Sequence, residues 1–221
     1  MLYGAIANRV FQNIQGLDAT YTTGTFADTL SGSTGLIAQV CRLIQDEHDL
    51  SCMQATLDVP LIDGQAAYAE AAYTPRLKKV LKASLLDSAG LVLYPLERMT
   101  NDDFASRIML SAGMPHFYHR YGGTITLYPT PAAGYTMRLA CIQRLADLPD
   151  VGFDVYEDAL SIDLPLAIIN RTSALAAVLS RDVAAAKVYM DLYQTAIDAA
   201  IKATMQQRDA GITESYPRRG W

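Results

Sequence analysis

Few side chains in this 221-residue chain are equipped for acid–base or metal chemistry, and three of them are histidines. His116 and His119 form an H-x-x-H spacing, which brings two imidazoles to one metal only in a helix, where i and i+3 share a face. The residues between and after them, Phe117-Tyr118 and Arg120-Tyr121, read as a strand, and an odd separation there sends the rings to opposite faces. His48 lies in Asp46-Glu47-His48-Asp49, a base among carboxylates that at a helix end reads as a solvated charge cluster. Cys41, Cys52 and Cys141 are odd in number, with no C-x-x-C pair and no histidine at ligand spacing, so they read as buried thiols in a reducing compartment. No G-x-S-x-G elbow, H-E-x-x-H, G-x-x-x-x-G-K-[ST] or G-x-G-x-x-G occurs in the sequence, and Gly32 to Gly35 lacks the lysine a phosphate loop needs. The expectation is a protein with no catalytic residue, no metal and no cofactor. A small hydrolase using His116 or Asp103 is the enzyme alternative.

The elements that carry these residues follow from periodicity. Leu2 to Gln15 has Ile6, Val10, Phe11 and Ile14 near one helical face, and Leu36 to Asp49 has Leu36, Val40, Leu43 and Ile44. Between them Gly16 to Gly35 is rich in Thr, Ser and Gly and reads as a loop or arm. Met53 to Val59 alternates with period two, Pro60 ends it, and Asp63-Gly64 makes a turn. Further strands are expected from Pro75 to about Ser84 and from Leu91 to Tyr94. Thr100 caps a short helix with Asp102 and Asp103 in its first turn and Phe104 and Ile108 facing the core. Ile125 and Leu127 alternate with Thr124, Thr126 and Tyr128 after a Gly122-Gly123 hairpin turn, and Tyr135, Met137, Leu139 and Cys141 repeat the pattern after a Pro129-Thr130-Pro131 corner. Asp163 is read as the cap of a helix to Leu179, with Pro165 in its first turn. Ser180 and Asp182 begin the longest helix, to about Asp209, with the stripe Val183, Ala186, Met190, Tyr193, Ile197 and Ile201, Asp198 set to pair with Lys202, and Gly211 as its stop.

These readings give an α+β fold: a small antiparallel β-sandwich or sheet domain with a bundle of long helices and mobile terminal arms. The division is 1–35 (helix and flexible arm), 36–50 (helix), 51–150 (β domain with a short helix), 151–210 (helical hairpin) and 211–221 (tail). Apolar residues make up 51% of the chain, enough for a core. The net charge of −5 supplies no global field for holding nucleic acid. With no leader pattern and no apolar run of membrane-spanning length, the chain reads as soluble and made in the cytoplasm. Lys78, Lys79 and Lys82 spread over both faces of a strand and read as salt-bridge partners. The tail Ile212 to Trp221 holds the one tryptophan beside Arg218 and Arg219, residue types that anchor interfaces.

The order of elements resembles the head-to-tail adaptor (connector) proteins of tailed bacteriophages, the short-tailed type especially. The resemblance covers about Leu36 to Asp209 and rests on Gly113-Met114-Pro115, the run Ile125 to Pro131, the strand around Tyr135 to Leu139, and Tyr156-Glu157-Asp158-Ala159-Leu160 leading into two closing helices. It implies a homo-oligomeric ring, commonly of twelve copies, docked under the portal protein at the head–tail junction of the virion. Such a ring extends the DNA channel, lets double-stranded DNA pass without specific binding, and offers a platform for tail nozzle and fibre proteins. It also implies that the helices bearing Val183, Ala186, Met190, Tyr193, Ile197 and Ile201 form the ring wall. Ile212, Tyr216, Arg218, Arg219 and Trp221 would then contact the portal. Another virion neck or tail-completion protein that never touches the portal is the nearest alternative.

Overall fold

A computed structural model describes residues 1–15, 29–73, 76–106 and 112–213. In chain order the elements are helix α1 (Tyr3–Gln15), helix α2 (Leu36–Glu47), strands β1 (Gln54–Pro60), β2 (Ala67–Ala69), β3 (Leu77–Leu86) and β4 (Val92–Arg98), and helix α3 (Asn101–Ser106). Strands β5 (Ala112–Gly113), β6 (Phe117–Tyr121), β7 (Thr124–Tyr128), β8 (Thr130–Pro131) and β9 (Thr136–Gln143) follow, then helices α4 (Ala159–Asp163), α5 (Pro165–Leu179) and α6 (Val183–Thr213). The fold is α+β and divides into two compact units, Met1–Met53 with Leu145–Trp221, and Gln54–Arg144.

The first unit is helical. Tyr3, Ile6, Val10 and Ile14 bury one face of α1 at spacings of three and four. On α2 the buried face is Ile37, Val40, Cys41 and Ile44, while Leu43 is 39% exposed. Apolar residues at 36, 37, 40, 41, 43 and 44 make a stripe wider than one contact face, and packing selects a face rotated from the expected one. Gly35, at the start of α2, has no room for a side chain: a Cβ would lie 2.3 Å from the carbonyl oxygen of Ser31 and 2.5 Å from that of Leu30.

Helix α5 is buried around most of its circumference, through Ala167, Ile168, Ile169, Thr172, Ser173, Ala174, Ala176 and Ala177, because α1, α2 and α6 all pack on it. Asp163 does not cap it. Asp158 forms a capping box with Ser161 and starts α4 one turn earlier, so Asp163 becomes the last residue of α4. Pro165, which has no N–H to continue the ladder, opens α5. Asp182 caps α6, accepting from the Ala185 amide at 2.9 Å. Gly211 does not stop α6, which continues to Thr213. A single glycine costs a helix only about 1 kcal/mol, and the next proline comes at position 217.

The second unit is built on a seven-stranded sheet in the order β1-β9-β3-β4-β6-β7-β2, with β5 and β8 as a separate parallel pair. The sheet is mixed: β4 and β6 run parallel, Glu97 opposite Phe117, while its other pairings are antiparallel. The strands expected as a small antiparallel sandwich or sheet therefore form one hydrogen-bonded ladder. Val59 of β1 and Tyr68 of β2, at opposite ends of the strand order, bury into one cluster with Leu85, Leu96, Ile125, Leu127, Met137 and Leu139. A sheet whose two edges share a core is curled.

The expected alternation holds in β7, where Ile125 and Leu127 are buried, and in β9, where Met137, Leu139 and Cys141 are. Gly122 and Gly123 take φ of 58° and 75°, the left-handed pair a tight two-residue hairpin requires. The short strand β2, Ala-Tyr-Ala, carries no β-branched residue and gave no periodic signal. The Gly16–Asp28 part of the expected arm, Pro75, Ile108 and the tail from position 214 lie outside the described residues.

Candidate functional site

The two spaced histidines serve different neighbours. His116 is exposed and stacks on Tyr94 with ring centres 4.9 Å apart. His119 is buried, stacks on Phe104 of α3 at 4.3 Å, and places Nε2 2.8 Å from Asn101 Oδ1. Thr100 positions α3 for this contact: its Oγ1 accepts from the Asp103 amide at 3.2 Å and donates to the Asp103 carboxylate at 2.7 Å. Both imidazoles thus act as packing groups. Among the described residues, no group of three or more His, Cys, Asp or Glu side chains is gathered to hold a metal ion.

The thiols are chemically quiet. Burial pushes Cys41 and Cys52 up to about 12, and pushes Cys141 up as well, so all three stay protonated at neutral pH. Cys41 Sγ lies 3.5 Å from the hydroxyl of Tyr3, whose own ionisation is suppressed chiefly by burial.

Glu47 and His48 belong to a network that their sequence context did not announce. Arg171 of α5 grips the Glu47 carboxylate at the end of α2 through Nη1 (2.6 Å) and Nη2 (2.8 Å). Its Nη1 also donates to the hydroxyl of Tyr193 on α6 at 2.7 Å, and that hydroxyl lies 3.2 Å from His48 Nε2. The bond from Arg171 is the main reason the Glu47 carboxyl titrates below its ordinary range. Three helices are tied at one point. The available signal was Arg171 itself, an isolated cation inside an otherwise apolar and small-residue helix.

In the sheet unit, the buried Glu70 carboxylate meets Arg120 of β6 at both Nε and Nη2. Arg120 also donates to the carbonyl oxygens of Lys78 (3.1 Å) and Leu77 (3.4 Å) on β3. Strand β3 is not a ladder neighbour of β6, so this one side chain braces the curl. Of the three lysines on β3, Lys79 and Lys82 are exposed and Lys78 is half-buried. Asp58 and Arg138, directly opposite on β1 and β9, form a two-point ion pair with both bonds at 2.7 Å.

The expected stripe of α6 splits in two. Ala186, Tyr193 and Ile197 are buried and Ile201 is half-buried, whereas Val183 is 77% and Met190 43% exposed. The buried line is centred on Ala186, Tyr193, Ile197 and Thr204, and it leaves Val183 and Met190 at its margin. Val188 and Leu192 lie exposed on the far side of α6, and Leu166, Val178 and Leu179 are exposed on α5. These are large aliphatic groups left in water on two helices that pack on each other. Ile212 lies in the last turn of α6, and Tyr216, Arg218, Arg219 and Trp221 fall outside the described residues. Asp198 accepts from Gln194 one turn back at 2.9 Å. Among the described residues no helix is long and apolar enough to cross a membrane.

These side chains tie helix to helix in one unit and strand to strand in the other, and large aliphatic groups on α5 and α6 stay uncovered. Comparison with curated proteins gives no match. The family model described as SU10 adaptor protein matches residues 1–218, nearly the whole chain, and the protein belongs to this family of phage head-to-tail adaptors.

Proposed function

We propose that this virion adaptor forms a homo-oligomeric ring under the portal protein, extends the DNA channel and carries the tail nozzle and fibres. The observation that supports this reading most is the coincidence of a family match over residues 1–218 with exposed aliphatic residues on both long helices. A ring needs two different patches on each copy, and α6, with one face buried on α5 and another open, can supply wall surface. In this division of labour residues 151–210 build the wall and residues 51–150 face outward or tailward. Ile212, Tyr216, Arg218, Arg219 and Trp221 reach the portal.

The charge fits a conduit. With a net charge of −5 per copy, a ring of about twelve copies is strongly acidic. Such a surface releases no counterions from DNA phosphates and does not retain the genome. The chain is read as a structural part and not as an enzyme. Mixing the purified protein with its portal and imaging the product tests the reading: rings seated on the portal are expected, and a chain that never binds portal overturns it. Deleting 212–221 should weaken docking, and unchanged affinity would remove the tail from the interface.

A further inference from the structure

One end of the sheet presents aliphatic side chains to water on preset turns. Leu86 of β3 pairs with Val92 of β4 and with Thr136 of β9, and Thr136 pairs with Pro60 of β1, so the turns after β1 and β3 lie at the same end. The β3–β4 turn is closed by its own residues. Asp87 Oδ1 accepts from the amides of Ala89 (2.8 Å) and Leu91 (2.9 Å), the Asp87 amide donates to Leu91 O (3.0 Å), and Gly90 holds φ at 81°. Leu91, Val92 and Leu93 are exposed on this hairpin, and Ile62 is exposed on the turn after β1. Residues 60–66, 87–95 and 129–135, which build this end, contain no Lys or Arg. The Asp87 carboxylate is committed to its turn, whereas Asp63 is exposed and its carboxylate is unpaired among the described residues.

The α5–α6 corner of the helical unit has the complementary character. Val178, Leu179 and Val183 are exposed there. Arg181 holds φ at 61°, the one non-glycine with positive φ among the described residues. Its amide donates to Val178 O (3.0 Å) and that of Asp182 to Ala177 O (2.9 Å), a helix-end closure that glycine fills without strain. An arginine kept where glycine would fold better points to a use for its side chain. Arg181 and Lys187 are both exposed, and their charges are unpaired among the described residues. The neighbouring Asp182 carboxylate is committed to capping α6.

We propose that the β3–β4 end of the sheet in one copy docks on the α5–α6 corner of a second copy. Leu91, Val92 and Leu93 then cover Val178, Leu179 and Val183, and Asp63 lies beside Arg181 and Lys187. This rests on the ring reading above and names its copy-to-copy contact. Charge selects the occupant: an aliphatic surface with a carboxylate and no cation suits a cationic aliphatic partner and offers nothing to DNA phosphates or anionic headgroups. The corner is such a partner, and its two cations offset the repulsion between net-acidic copies. Two different patches joined head to tail form a heterologous interface, the type that closes into rings. Because the hairpin turn is already ordered, little freedom is lost on docking.

The test uses the full chain, alone and with portal. Arg181→Gly should keep or raise the melting temperature, since strain is relieved, yet weaken self-association about tenfold, measured by sedimentation. Asp63→Lys and Arg181→Glu should each lower association by placing like charges together, and the chain carrying both substitutions should recover much of it. A Leu91→Cys/Val183→Cys protein, oxidised after assembly, should give a ladder of disulfide-linked multimers that the wild type does not. Rings that assemble normally with Leu91→Asp or Arg181→Gly, with no ladder from the cysteine pair, overturn this contact, assign the hairpin to another partner and leave the ring reading intact. A wild-type chain that stays monomeric, alone and with portal, overturns both.

Discussion

The hydroxyl of Tyr3 donates to Asp158 Oδ1 at 3.0 Å, and the same oxygen accepts the Ser161 amide at 2.8 Å. One carboxylate oxygen thus starts α4 and docks α1, across 155 positions of sequence. The Tyr3 ring is fully buried and packs beside Phe153 and Tyr156. Tyr3→Phe keeps the ring packing and the cap but loses the bond to a charged acceptor. A loss of about 1.5–3 kcal/mol in urea unfolding is expected. No change would show that packing alone holds α1.

Glu70 and Arg120 form an ion pair in the sheet unit that is largely shielded from water, with side chains 10% and 26% exposed. Glu70→Ala strands a guanidinium and should destabilise the protein by about 3–5 kcal/mol. Replacing both partners with apolar residues, Glu70→Leu with Arg120→Met, should recover much of that loss. A double variant as unstable as the single one would mean that the bonds from Arg120 to the Leu77 and Lys78 carbonyls dominate the brace.

The two classes of position on α6 separate by truncation. Ile197 is fully buried, and Ile197→Ala should cost about 2–5 kcal/mol through lost transfer energy and a residual cavity. Met190→Ala, at an exposed position, should change stability by no more than about 0.5 kcal/mol. If Met190 forms part of the ring wall, the same substitution should instead lower self-association.

The Glu47–Arg171 pair makes stability depend on pH in a defined direction. The folded carboxyl titrates below its ordinary value, so its contribution is present above the unfolded glutamate pKa of about 4.3 and lost as pH falls through the lower folded value. Glu47→Gln should therefore melt below the wild type at neutral pH, with the difference shrinking as pH drops from about 5 toward 2. A constant difference across that range would exclude this ionisation as the cause.

Short-range pattern was enough to read the α+β class, the alternation of β7 and β9, the Gly122-Gly123 turn and the Thr100 cap, because each depends on residues within a few positions of one another. Spacing also placed Ala186, Tyr193 and Ile197 on one face of α6. It could not centre that face, because Val183 and Met190 satisfy the same period and only the position of α5 decides which margin stays wet. The sheet order was likewise out of reach: the parallel β4–β6 pairing and the shared core of β1 and β2 arise from closing a curled ladder, which no local preference encodes. Arg120 and Arg171, and Asp158 in its bond to Tyr3, carry ordinary charged side chains whose partners lie far along the chain. Their roles exist only once folding has removed those partners from water, where an unpaired charge is too costly to leave.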